Sequence, residues 1–173
     1  MAATRSPARA KASATGGGKS SLTPLSGRPP ALELVVQRAV PDDDLPVRAT
    51  LRRWAQAALA RDARVTLRFV AAREGRALNR DFRGRDYATN VLTFVYDSRV
   101  PVEGDIVVCL PVVRREARAQ GKPVRAHLAH LVVHGMLHLQ GYDHLRAADA
   151  TAMEARETEI LRRLRYADPY AES

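Results

Sequence analysis

The stretch HGMLHLQGYDH, residues 134–144, holds three of the chain's five histidines. His134 and His138 are four residues apart, which puts both imidazoles on one face of a helix, one turn from each other. Gly141 comes three residues later, where a glycine in the left-handed conformation ends a helix and turns the chain back. His144 arrives after that turn. Two ligands from the last turns of a helix and a third from the returning loop make a three-nitrogen metal site. Catalytic zinc commonly takes three protein ligands and keeps a fourth position for water, whereas structural zinc is closed by a fourth ligand, often cysteine. The only cysteine, Cys109, lies in another segment. The pattern therefore favours a water-bearing catalytic centre with one zinc ion per chain. His130, one turn before His134, is expected to support the centre or pack beneath it. His127 is expected to face solvent or to be structural. Asp143 could orient a ligand imidazole or simply shape the turn.

The elements that must position these residues follow from hydrophobic period. The run VRAHLAHLVVHGMLHL, after Pro123, has Leu128, Leu131, Val132, Leu137 and Leu139 near helical spacing and predicts the ligand-bearing helix. Upstream, LELVVQRAV (32–40) reads as a strand. DDDLPVRATLRRWAQAALARD (42–62) reads as a helix with Pro46 near its start and Leu51, Trp54, Ala58 and Leu59 on one side. RVTLRFVAA (64–72) alternates apolar and polar residues as a strand does, and GRALNRDFRGRD (75–86) is a short helix followed by a loop. TNVLTFVY (89–96) and GDIVVCL (104–110) are strands. VVRREARAQG (112–121) is a helix, and DATAMEARETEILRRL (149–164) is the last one, with Met153, Ile160, Leu161 and Leu164 on its buried side. The order βαβαββααα predicts a single α+β domain, with a small mixed four-stranded sheet packed with about five helices.

Composition narrows the classes. A chain of 173 residues is enough for one domain with its own core. No apolar run approaches the eighteen or so residues of a membrane span. A single cysteine excludes an internal disulfide framework and suits a reducing compartment, so a cytoplasmic location is expected. The net charge is +9, but residues 1–30 carry five Lys or Arg and no acid, which leaves 23 basic against 19 acidic residues beyond them, a net of +4. Residues 1–30 are rich in Ala, Ser, Gly and Pro, lack hydrophobic period and are expected to be a disordered basic extension, with the folded domain over 31–173. An arginine-bearing, acid-free start also resembles an organelle transit peptide, but no clear amphipathic stretch supports targeting. Such a charge permits a polyanionic partner without demanding one.

The metal motif alone leaves several chemistries open. Zinc peptidases of the H-E-x-x-H-x-x-G-x-x-H type match at all three histidines and at Gly141, but residue 135 is Gly, where those enzymes carry the glutamate base. A peptide bond, with its poor amine leaving group, usually needs that proton shuttle, so hydrolysis of another bond is the better reading.

Four segments together point to a family. HLVVHGMLHLQGYDH resembles the signature of the YbeY family of metal-dependent endoribonucleases. LNRDFRGRDYATNVLTF resembles its second signature, GDIVVC its G-D-I strand, and MEARETEILRRLRYADPY its C-terminal helix and closing D-P-Y. The resemblance covers most of residues 32–170. It departs at Ala88, where a proline usually precedes the T-N pair, and at Ala167, where a glycine is common before D-P-Y. It implies single-strand-specific, zinc-dependent cleavage of RNA in 16S rRNA 3′-end maturation and ribosome quality control. Ribosomal RNA and the ribosome or its small-subunit proteins are the implied partners, and neither DNA nor membrane is expected. It also singles out Arg83, one of 25 arginines, as a functional residue. The chemistry suits that role, because a guanidinium offers parallel donors to a phosphate whose charge grows in the transition state. Asn90 and Thr89 could line the cleft or merely start their strand. Two other readings stay open: a metallohydrolase acting on peptides or small molecules, and a non-catalytic ribosome assembly factor with structural zinc.

Overall fold

Leu32 and Leu34 in one strand, and Ala63, Val65, Leu67 and Phe69 in the next, recur at every second residue, and all six are buried in one core. They belong to a computed structural model that describes residues 27–41 and 45–171. The described elements are β1 (Leu32–Arg38), α1 (Arg48–Ala57), β2 (Ala63–Val70), α2 (Ala72–Arg83), β3 (Val91–Asp97), β4 (Val102–Cys109), α3 (Leu110–Ala119), α4 (Val124–Leu139) and α5 (Ala147–Arg163). The order is the one the sequence predicts, and the class is α+β. The sheet runs β1-β2-β4-β3, with β1, β2 and β4 parallel and β3 antiparallel at the edge. Of the expected N-terminal extension, residues 1–26 lie outside the described ones. Among the described residues, no helix is long and apolar enough to cross a membrane.

Two boundaries differ from the sequence reading for identifiable reasons. The helix expected to start near Pro46 begins at Arg48, because the residue before a proline is disfavoured in helical backbone and Val47 is still extended as the N-cap. The strand predicted to reach 110 ends at Cys109. Leu110 already opens α3, with Pro111 in the first turn, where a missing N–H breaks no helical bond.

Successive β4 residues feed opposite faces of the sheet. Ile106 and Val108 join the large core beneath α1, α4 and α5, whereas Val107 and Cys109 join a smaller cluster with Leu78 of α2 and Val112 of α3. Trp54, fully buried as expected for a core residue, meets Tyr166 edge-on at 5.9 Å between centroids. Gly104 leaves room on β4 for a side chain of α4. A Cβ there would lie 2.3 Å from Phe94 O and 2.4 Å from Leu139 Cδ2. The helix that carries the histidines is therefore seated directly on β4.

Candidate metal centre

The end of α4 is built to return the chain. Gly141 takes φ 96, a left-handed value, and the N–H groups of Gly141 and Tyr142 donate to His138 O and Leu137 O, each at 3.1 Å. Gln140 anchors this end from inside. Its Nε2 donates to Ala58 O at 2.7 Å and Met136 O at 3.0 Å, and its Oε1 accepts from Ala60 N and Arg61 N. The turn brings His144 back to the helix. Ring centroids are 4.5 Å apart for His134 and His138, 4.8 Å for His138 and His144, and 5.8 Å for His134 and His144. One nitrogen from each lies within 4.8 Å of the other two, a grouping that could hold a metal ion.

Burial pushes the His138 imidazole down to about 4, and the neighbouring His134 and His144 push the same way. At neutral pH its ring is uncharged and offers a lone pair. Three imidazole nitrogens, one of them on a solvent-exposed residue, His144, suit zinc with an accessible coordination position.

Behind the histidines sits Glu157 of α5, fully buried. Its Oε1 receives His134 Nδ1 at 2.6 Å, its Oε2 meets His130 Nε2 at 3.0 Å, and the Tyr170 hydroxyl also donates to Oε2. Burial alone would raise this carboxyl. The hydrogen bonds from His130, His134 and Tyr170 outweigh it and hold Glu157 at about 2, ionised. A carboxylate on Nδ1 fixes the His134 tautomer with its proton on that nitrogen and leaves Nε2 free as a ligand. His130 thus supports the centre through Glu157. Sequence reasoning missed Glu157, although an acid at position 157 falls on the same side of α5 as Met153, Ile160 and Leu161.

The other singled-out residues take structural places. His127 is buried, not solvent-facing, and its Nε2 meets Glu116 at 2.8 Å. Asn90 donates to the same carboxylate at 2.9 Å and accepts from Val91 N, so it locks the start of β3 to α3; Thr89 precedes it. Asp143 accepts from His144 N at 2.7 Å and shapes the turn. Gly135 faces the sheet, and a Cβ there would lie 2.8 Å from Ile106 Cγ2. A glutamate at this position would be driven into β4. Arg83 ends α2, exposed, with its guanidinium 3.4 Å from Thr93 O on β3; among the described residues no hydrogen bond or ion pair joins it to the histidines.

The endoribonuclease YbeY family model matches residues 42–165. This chain belongs to the YbeY family. Its relatives include the endoribonuclease YbeY of Nitrosomonas europaea, 57% identical over 139 residues, covering 80% of this chain and 85% of the relative. That of Aromatoleum aromaticum is 57% identical over 143 residues, covering 81% and 93%. That of Thiobacillus denitrificans is 57% identical over 143 residues, covering 82% and 97%. Among solved structures, the solution structure of TM1509 from Thermotoga maritima is similar in fold, with a TM-score of 0.50 at 24% identity over 82% of this chain and 99% of that one. The YbeY match spans α1 through α5 and so contains the whole histidine cluster and Glu157.

Proposed function

We propose that this protein is a zinc-dependent endoribonuclease that cuts single-stranded RNA, acting in the cytoplasm on 16S rRNA 3′ ends and in ribosome quality control. The observation that carries the reading is the three-imidazole cluster of His134, His138 and His144, backed by a buried ionised carboxylate, in a YbeY chain. A zinc ion held by those three nitrogens would supply Lewis acidity toward the phosphoryl group and the attacking water. Glu157 keeps His134 in one tautomer and one orientation. His138 stays unprotonated at neutral pH and so needs no proton loss to serve as a ligand. Arg83 binds the scissile phosphate, its parallel donors meeting the non-bridging oxygens where negative charge grows. Single-stranded RNA fits better than duplex, because an A-form helix hides its base edges in a deep, narrow groove. The buried environment of position 135 weighs against peptide hydrolysis, since no base fits there.

The test is the purified, zinc-loaded protein given single-stranded RNA, duplex RNA and casein. Cleavage of the single strand alone is the expected result. Casein hydrolysis with intact RNA would overturn the reading.

A further inference from the structure

The loop between α2 and β3 is tightly pinned, yet it carries an exposed aromatic ring. Asn79, 2% exposed, donates from Nδ2 to Tyr87 O at 2.7 Å. Tyr87 N donates to Arg85 O at 3.0 Å, and Arg85 N to Asn79 O at 3.3 Å. Arg76 grips Asp86 with two parallel bonds of 2.8 and 2.7 Å. On this fixed loop Tyr87 is 52% exposed. Its hydroxyl accepts from Arg85 Nη1 at 3.0 Å, and among the described residues no other ring or cation is seen stacked on it. The exposed Phe82 nearby, by contrast, already packs edge-on against Phe94. The fold thus pins the Tyr87 backbone and tethers its hydroxyl while leaving the ring half exposed.

Beside it runs a groove of about 680 Å³ lined by Ala72, Arg73, Arg76, Ala77, Arg80 and Ala88. Arg73, Arg76 and Arg80 are spaced three and four apart, so they share one face of α2, and Arg83 is three residues beyond. Asp86 and Asp81 partly balance this row through Arg76 and Arg80. Glu74 is engaged by Arg68, and Arg73 has no ion pair among the described residues. The row leads from the α2 groove toward Arg83. Single-stranded nucleic acid is held by this combination, a basic track for the backbone with aromatic faces on which bases stack.

Resting on the endoribonuclease reading, we propose that Tyr87 is the stacking platform for one unpaired base of the RNA, while the arginine groove on α2 takes the adjoining phosphates. Preorganisation supplies the affinity: the ring is ordered before RNA arrives, so little freedom is lost on binding.

The test uses the zinc-loaded protein and a short unstructured RNA, with binding read by anisotropy at early times and cleavage under single-turnover conditions. Tyr87→Ala is expected to raise the half-saturating concentration roughly 5- to 150-fold, with the loss in affinity rather than in maximal rate. Tyr87→Phe should recover most of it. An abasic residue scanned along the RNA should weaken binding to wild type at one position and have no such effect on Tyr87→Ala. Arg73→Ala should lower the slope of log affinity against log salt by about 0.7. An unchanged half-saturation in Tyr87→Ala, or Phe no better than Ala, overturns the platform while leaving the nuclease reading intact. RNA that binds through Tyr87 but is never cut overturns the nuclease reading and leaves the platform standing.

Discussion

Glu157→Gln separates the charge of the buried carboxylate from its shape. The amide is nearly isosteric, and its oxygen can still accept from His134 Nδ1, now 2.6 Å from Oε1. Its NH2 group then faces His130 Nε2 and the Tyr170 hydroxyl, both able to accept if the His130 tautomer and the hydroxyl rotate. The fold should therefore survive. What is lost is the negative charge that makes His134 a stronger ligand. Loss of such a partner typically weakens metal affinity by about 10- to 100-fold, or roughly 1.4–2.7 kcal/mol. Chelator competition for zinc measures this, with urea unfolding alongside. Glu157→Leu is the contrast, since it strands buried donors at about 1–3 kcal/mol each and should lower stability as well. Zinc affinity within twofold of wild type in a folded Glu157→Gln protein would refute the orienting role.

Arg83→Ala should keep its zinc and fold but lose about 2.7–4 kcal/mol of transition-state stabilisation, roughly a hundred- to a thousand-fold in single-turnover rate; Arg83→Lys should recover little. A wild-type rate at saturating RNA would make Arg83 a surface charge. Gly135→Ala should destabilise by about 1–3 kcal/mol through overpacking against Ile106, and Ile106→Val should relieve part of it; an unchanged urea midpoint would show that α4 gives way freely. In the metal-free protein, His138 titrates near 4 against 6.5 unfolded, so unfolding takes up a proton in that window and stability falls as pH drops from 6.5 to about 4. Glu157, near 2 against 4.5, adds a loss in the same direction from 4.5 down through 2. Urea midpoints followed down this range should fall, and His138→Asn should abolish the upper part; a flat profile contradicts both shifts.

Local pattern carried the element order because each strand and helix shows its own period. The ligand spacing was equally legible, since i and i+4 plus a glycine turn is geometry written within eleven residues. The supporting residues were not. Glu157 lies 23 residues beyond His134, and its stripe on α5 reads as apolar unless the single acid within it is weighed. Gln140 holds the loop after α1, about 80 residues away, through bonds that no local pattern encodes. His127 reads as a polar residue on a helix, but α4 is buried on nearly every side and the imidazole is satisfied by Glu116. The run VVCLPVV changes from strand to helix with no change of hydrophobicity, so the boundary at Cys109 reads one residue late.

On the proposed function, one zinc ion on His134, His138 and His144 makes this chain cut RNA. Zinc content and single-turnover cleavage of single-stranded RNA, measured on the same samples of wild type and His138→Ala, test it directly. The expected result is one zinc per wild-type chain with cleavage, and a folded His138→Ala protein that has lost both. Full zinc occupancy in His138→Ala, or cleavage that survives without the metal, would contradict it.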